Sequence, residues 1–202
     1  MRQERPWFHH WRKPDDFGQK LSQVKRPSLG HHYFNNSQAK WVLEAWVLYR
    51  YAKIISAAAM RLCAVDPPDA FVRVRGRDIS IEITSVMEPG RKIAEEYRSR
   101  DRAVEHDPVE NWVARADKIV PALRSSILKK TRKHYSIHPE LLVYLNIDEW
   151  GIRQREIETQ IANVLADDTK PFSAISVLWK GKVFSSSGEV FGSEDVGMFE
   201  ED

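Results

Sequence analysis

The chain has 202 residues, 42% of them hydrophobic and 30% charged, with a formal net charge of only +2, so it is long enough for one packed domain and its bulk charge excludes no partner. No run approaches the roughly 18 apolar residues of a membrane-spanning helix, and the basic, aromatic start MRQERPWFHHWRKPDDF lacks the apolar stretch of a secretory signal. The single cysteine, Cys63, excludes an internal disulfide and a Cys-rich zinc site and fits a small buried hydrophobe in a reducing cytoplasm.

Residues 1–36 have no steady period and are rich in Trp, His, Arg, Pro and Gly, which predicts an irregular arm pinned by Trp7, Phe8 and Trp11. A homodimer that exchanges this arm would bury its tryptophans. The pairs His9-His10 and His31-His32 do not read as a metal site, because adjacent histidines point apart and no acidic or thiol ligand shares their spacing. From Ser37 to Met60 the chain runs without Gly or Pro and is apolar around most of a helical circumference, which predicts a buried helix capped by Asn36-Ser37. Glu44 is in phase there with Tyr51 and Ile55, and a carboxylate among apolar residues needs a partner or a task.

Asp66-Pro67-Pro68-Asp69 breaks the chain. The alternating runs Phe71–Val74 and Ile79–Thr84 predict two strands joined at Arg75-Gly76-Arg77-Asp78, with Ile79, Ile81 and Ile83 on one face and Ser80, Glu82 and Thr84 on the other. Residues 87–116 are charged and aperiodic, an expected insertion with some helix. Asp117–Tyr135 returns to helical spacing, with Pro121 tolerable near its start. It lies in a basic segment, for Arg115 to His134 hold seven Lys or Arg against one acid. Leu141–Ile147 reads as a central strand, 154–166 as a helix, and Ala174–Trp179 as a strand turning at Gly181-Lys182 into Val183–Ser185. Residues 186–202 are acidic and read as a disordered tail. The expected fold class is α/β: a mixed central sheet flanked by helices, in one domain over 37–185.

Pro68-Asp69 followed by Ile81-Glu82-Ile83-Thr84, placed on a hairpin between two helices, resembles the signature of the PD-(D/E)XK (restriction-endonuclease-like) nuclease superfamily. The resemblance spans roughly 38–147, and the order helix, strands, helix, strand matches the superfamily core. It implies metal-dependent phosphodiester hydrolysis, with DNA the expected substrate. Asp69 and Glu82 would hold Mg²⁺ or Mn²⁺, the Ile83 carbonyl would add a ligand, and Glu44 would reach the ion directly or through water. A hard cation with oxygen ligands is what this hydrolysis needs, and Mg²⁺ uses one or two carboxylates.

Thr84 stands where the signature has lysine, and a lysine from the next helix is the expected substitute. Ile119, Val120, Leu123 and Ile127 mark an apolar face on which Lys130 falls, while Lys129 points nearly opposite, so Lys130 is the expected catalytic cation. Arg124, Lys129, Arg132 and Lys133 are the expected nucleic-acid contacts. Two other readings compete. A catalytically inactive relative would keep the fold and bind nucleic acid or a protein, which Thr84 favours. In an unrelated α/β protein the match is accidental, and the carboxylates of Asp69, Glu82 and Glu44 stand apart.

Overall fold

Two helices and an alternating meander build the sheet from its first edge. The computed structural model describes residues 4–25, 40–65, 67–88, 109–147, 149, 151, 153–167 and 170–192. After the helices Pro14–Lys25 (α1) and Lys40–Ile54 (α2), the strands Ala59–Leu62 (β1), Ala70–Val74 (β2) and Arg77–Met87 (β3) form an antiparallel meander. Arg75 and Gly76 close the β2–β3 hairpin with φ of 48° and 77°, the left-handed pair that a two-residue turn needs to match strand twist. The helix Val109–Thr131 (α3) then carries the chain across the sheet, so Glu140–Asn146 (β4) runs parallel to β3. A second crossover through Gln154–Leu165 (α4) adds Ile175–Trp179 (β5) parallel to β4, and Lys182–Ser185 (β6) and Val190–Phe191 (β7) complete the sheet antiparallel. The seven strands lie in sequence order, in an α/β fold with a mixed sheet.

Two cores form because each strand of the sheet presents alternate residues to opposite faces. Helices α1 and α2 cover one face, where Phe17, Leu21, Val47 and Leu48 pack on Val72, Ile81, Ile83 and Leu142. On the other face α3 and α4 cover Val86, Leu141, Val143 and Val177 with Ile119, Leu123, Ile157 and Ile161. Each such fully buried aliphatic side chain contributes about 1.5–3 kcal/mol.

Several expectations are corrected. The supposed irregular arm contains a 3₁₀ turn, Arg5–His9, and helix α1, and Phe8 and Phe17 are fully buried in this chain's own first core. The predicted helix over 37–60 ends at Ile54, where Ser56 takes φ 54°, and Ala59–Leu62 is a strand. Helix α3 begins at Val109, within the expected insertion, so Pro121 is interior to it. Strand β7 lies within the expected tail. The cap Asn36-Ser37, the pair His31-His32, residues 89–108 of the insertion and residues 193–202 of the tail lie outside the described residues. Among the described residues no helix is long and apolar enough to cross a membrane.

Candidate functional site

Strands β2 and β3 share a ladder only from Val74↔Arg77 to Ala70↔Ile81, whereas β3 pairs with β4 from Ile81 to Met87. The sheet therefore forks at Ile81, and continuing the register by one residue sets Asp69 opposite Glu82. Asp69 keeps a strand-like place, for its carbonyl accepts the Cys63 N–H at 2.8 Å. Its carboxylate Oδ2 accepts the Ile83 N–H at 2.7 Å, so a side chain satisfies a backbone group on the edge that β2 has left. The Ile83 carbonyl points to the same side of β3 as that N–H.

Pleat alternation turns Glu82 away from Ile81 and Ile83 and toward α3. The residue is buried, 4% exposed. Oε1 accepts hydrogen bonds from Lys130 Nζ at 2.7 Å and from the Tyr135 hydroxyl at 3.4 Å. Oε2 is buried without a hydrogen-bond partner among the described residues. Such an orphaned acceptor is costly and calls for a ligand or a strained purpose. Lys130 reaches Glu82 because it continues the apolar stripe of Ile119 and Leu123 on α3, while Lys129 is exposed.

Glu44 does not join them. It pairs with Lys40 at 3.0 Å on α2, and α2 packs on the face that Glu82 turns away from. Asp69 and Glu44 do share a cleft of about 230 Å³, lined also by Arg5, Lys40, Trp41 and Cys63. Among the described residues no three His, Cys, Asp or Glu side chains gather closely enough to hold a metal ion, so the expected set of Asp69, Glu82 and Glu44 does not assemble. What remains at the fork is Asp69, held on the Ile83 N–H, with Glu82 set opposite by the continued register and its Oε2 unpartnered among the described residues. Carboxylate and carbonyl oxygens are the donor type that Mg²⁺ and Mn²⁺ take, with waters completing the shell.

The expected nucleic-acid contacts lie elsewhere. Arg124 is exposed, 3.7 Å from Asp167, and Lys129, Arg132 and Lys133 are exposed near the end of α3. Sequence reasoning missed Tyr135 as a partner of Glu82: it set Tyr135 at the end of a helix over 117–135, whereas α3 ends at Thr131 and Tyr135 lies beyond it. It also missed Arg5 and Lys40, which reach the cleft from segments read as arm and as buried helix. No protein-family model, curated protein or solved structure matches this chain.

Proposed function

We propose that this chain hydrolyses phosphodiesters in nucleic acid, DNA being the expected substrate, with Asp69, Glu82 and Lys130 as its catalytic residues. The observation that carries this reading is Glu82: a buried carboxylate with one oxygen on Lys130 and the other unpartnered, opposite Asp69 where the sheet forks. The order of α2, antiparallel meander, α3 and parallel β4 supports the resemblance to the PD-(D/E)XK superfamily core, and Lys130 stands in for the lysine that Thr84 replaces.

Asp69, Glu82 Oε2 and the Ile83 carbonyl would hold Mg²⁺ or Mn²⁺. Such an ion supplies Lewis acidity toward the phosphoryl group and helps ionise water. Lys130 has three donors and uses one on Glu82, so the others are available to a non-bridging phosphate oxygen or to the attacking water. That contact stabilises the negative charge that grows as the nucleophile adds. Tyr135 donates a second, longer hydrogen bond to the same Glu82 oxygen, at 3.4 Å. Asp69 is oriented by the Ile83 N–H, which fixes one oxygen and aims the carboxyl plane.

A nuclease-like domain that binds nucleic acid without cutting is the second reading. It is favoured by Thr84 and by the engagement of Asp69 Oδ2 with Ile83. Titration calorimetry of Mg²⁺ and Mn²⁺ against wild type and Glu82→Ala separates the two. Hydrolysis predicts metal binding that disappears in the variant, and a Lys130→Ala chain that binds metal but cleaves DNA about 10²–10⁴-fold more slowly. If wild type takes up no metal even with DNA present, the hydrolytic reading fails and the binding one replaces it.

A further inference from the structure

Glu44 is a carboxylate among the apolar residues of α2, and the fork gives it no task. It borders instead the cleft of about 230 Å³ that Asp69 shares. That volume lies below the roughly 300–1,000 Å³ of a pocket for a drug-sized ligand, so the cleft suits one small polar molecule or one planar group of a larger one. Its lining is charge-balanced, with Arg5 and Lys40 against Glu44 and Asp69. A free anion such as phosphate gains little there, whereas a neutral group carrying both donors and acceptors can be satisfied on both sides.

The polar groups of the lining do not all close on one another. Glu44 gives Oε1 to Lys40 at 3.0 Å, and its side chain is 15% exposed. Asp69 turns Oδ2 to the Ile83 N–H at 2.7 Å. Among the described residues Arg5 pairs with neither acid, and its Nε is buried without a hydrogen-bond partner. Trp41, Leu62 and Pro68 supply apolar surface, and Trp41 is fixed by Phe8, whose ring lies 5.4 Å away. A carboxylate with an ammonium beside it at 3.0 Å presents two acceptors next to a donor. Among the common nucleobases, guanine alone offers the complement on one edge: adjacent N–H donors at N2 and N1, then the O6 acceptor.

We propose that this cleft is a base pocket, taking one unstacked guanine of the bound nucleic acid with its N1–H and N2–H on Glu44 and its O6 toward Lys40. Asp69 borders both the cleft and the fork, so the guanine belongs to the nucleotide next to the phosphate held there. This deepens the proposed function and rests on it for that phosphate, while the recognition of guanine rests on the cleft alone. A base taken out of its stack is read on its Watson–Crick edge, and a two-bond contact of this kind gives a preference of roughly five- to hundredfold.

The test is an NMR titration of the full chain, without divalent metal, that follows the indole N–H of Trp41, assigned with Trp41→Phe. Guanosine monophosphate is expected to shift it saturably and to bind roughly tenfold or more tightly than adenosine, cytidine or uridine monophosphate. Inosine monophosphate, which lacks the N2 amino group, is expected to bind about tenfold more weakly than the guanosine nucleotide. Glu44→Gln loses the preference for guanine and leaves the weak binding of adenosine monophosphate unchanged. Thermal melting confirms folding, and if Glu44→Gln does not fold, the ratio of guanosine to inosine on wild type decides. A short strand with one central guanine binds more tightly than the monophosphate, because its further phosphates add contacts, and it weakens by the same factor when inosine replaces that guanine. Three outcomes overturn the pocket: inosine bound as tightly as guanosine, all the nucleotides shifting Trp41 as inorganic phosphate does, or a preference that survives Glu44→Gln. A strand bound no better than the monophosphate overturns the pocket's place beside the fork. Guanine-selective strand binding by a chain that takes up no metal refutes hydrolysis and leaves the pocket standing. Metal-dependent cleavage without any guanine preference refutes the pocket alone.

Discussion

Glu82 is held by Lys130 on one oxygen and left open on the other, so its stability role and its chemical role can be pulled apart by substitution. Lys130→Ala strands a carboxylate that is 5% exposed, and breaking a buried pair from one side costs about 3–5 kcal/mol. Chemical denaturation should show that loss. Replacing both partners, Glu82→Leu with Lys130→Met, should restore most of it, because an apolar pair of similar volume substitutes well for a buried ion pair. The restored chain should nevertheless bind no Mg²⁺ or Mn²⁺. A double variant that keeps metal binding would place the ion elsewhere. Lys130 was legible in the sequence because an apolar stripe sets its phase. The orphaned oxygen was not, since it depends on which long-range neighbours fail to arrive. Glu149 is another buried acid, of different kind. Burial alone would raise its pKa, but hydrogen bonds from the Arg153 N–H and from Lys180 outweigh burial and hold it below the ordinary glutamate value. A lowered folded pKa stabilises the chain fully above the unfolded value, about 4.3, and the contribution fades as pH falls through the folded one. Glu149→Gln should therefore flatten the acid limb of the stability profile below that pH, as measured by urea unfolding at stepped pH.

At the scale of elements, local chemistry announces the turn between β2 and β3 and hides the helix before them. A methyl group placed on Gly76 would meet nothing within 4 Å, so Gly76→Ala tests backbone conformation alone. It should destabilise by about 1 kcal/mol, and Arg75→Asn should stabilise, because asparagine accepts φ 48° more readily than arginine. Equilibrium unfolding checks both signs. Helix α1 carried legible signals: Pro14 at its start, Asp15 and Asp16 in the first turn, then Phe17, Leu21 and Val24 at helical spacing. Gly18 disguised it. That glycine marks a close helix crossing, for a Cβ there would lie 2.6 Å from the Tyr49 ring on α2. The strand β1 was hidden differently. Ala57, Ala58 and Ala59 extend the apolar run of α2 into it, and only the turn at Ser56 separates the two, where no Gly or Pro punctuates the chain. Pro121 lacks the N–H that an interior helical residue donates, so Pro121→Ala should stabilise α3 by up to about 3 kcal/mol.

Across the whole molecule the mixed sheet divides two cores, and the N-terminal segment belongs to the first as fully as any strand does. Phe8, Phe17, Leu21 and Val24 are all buried there. At about 1.5–3 kcal/mol each, their removal is comparable with the 5–15 kcal/mol that holds a typical domain together. Deleting residues 1–25 should abolish cooperative unfolding in calorimetry, whereas an arm peripheral to the core would leave the transition in place. The alternation of the strands and the apolar run of β4 made the sheet's centre readable. Its margin was not, because which segment covers an edge is set by distant contacts. At that margin Arg12 exchanges two backbone hydrogen bonds with Met60, at 3.0 and 2.9 Å. A strand edge left bare recruits strands from other molecules and seeds aggregates. One residue's backbone thus guards the outer side of β1, and a chain trimmed past it by a protease would expose a template for intermolecular β-pairing.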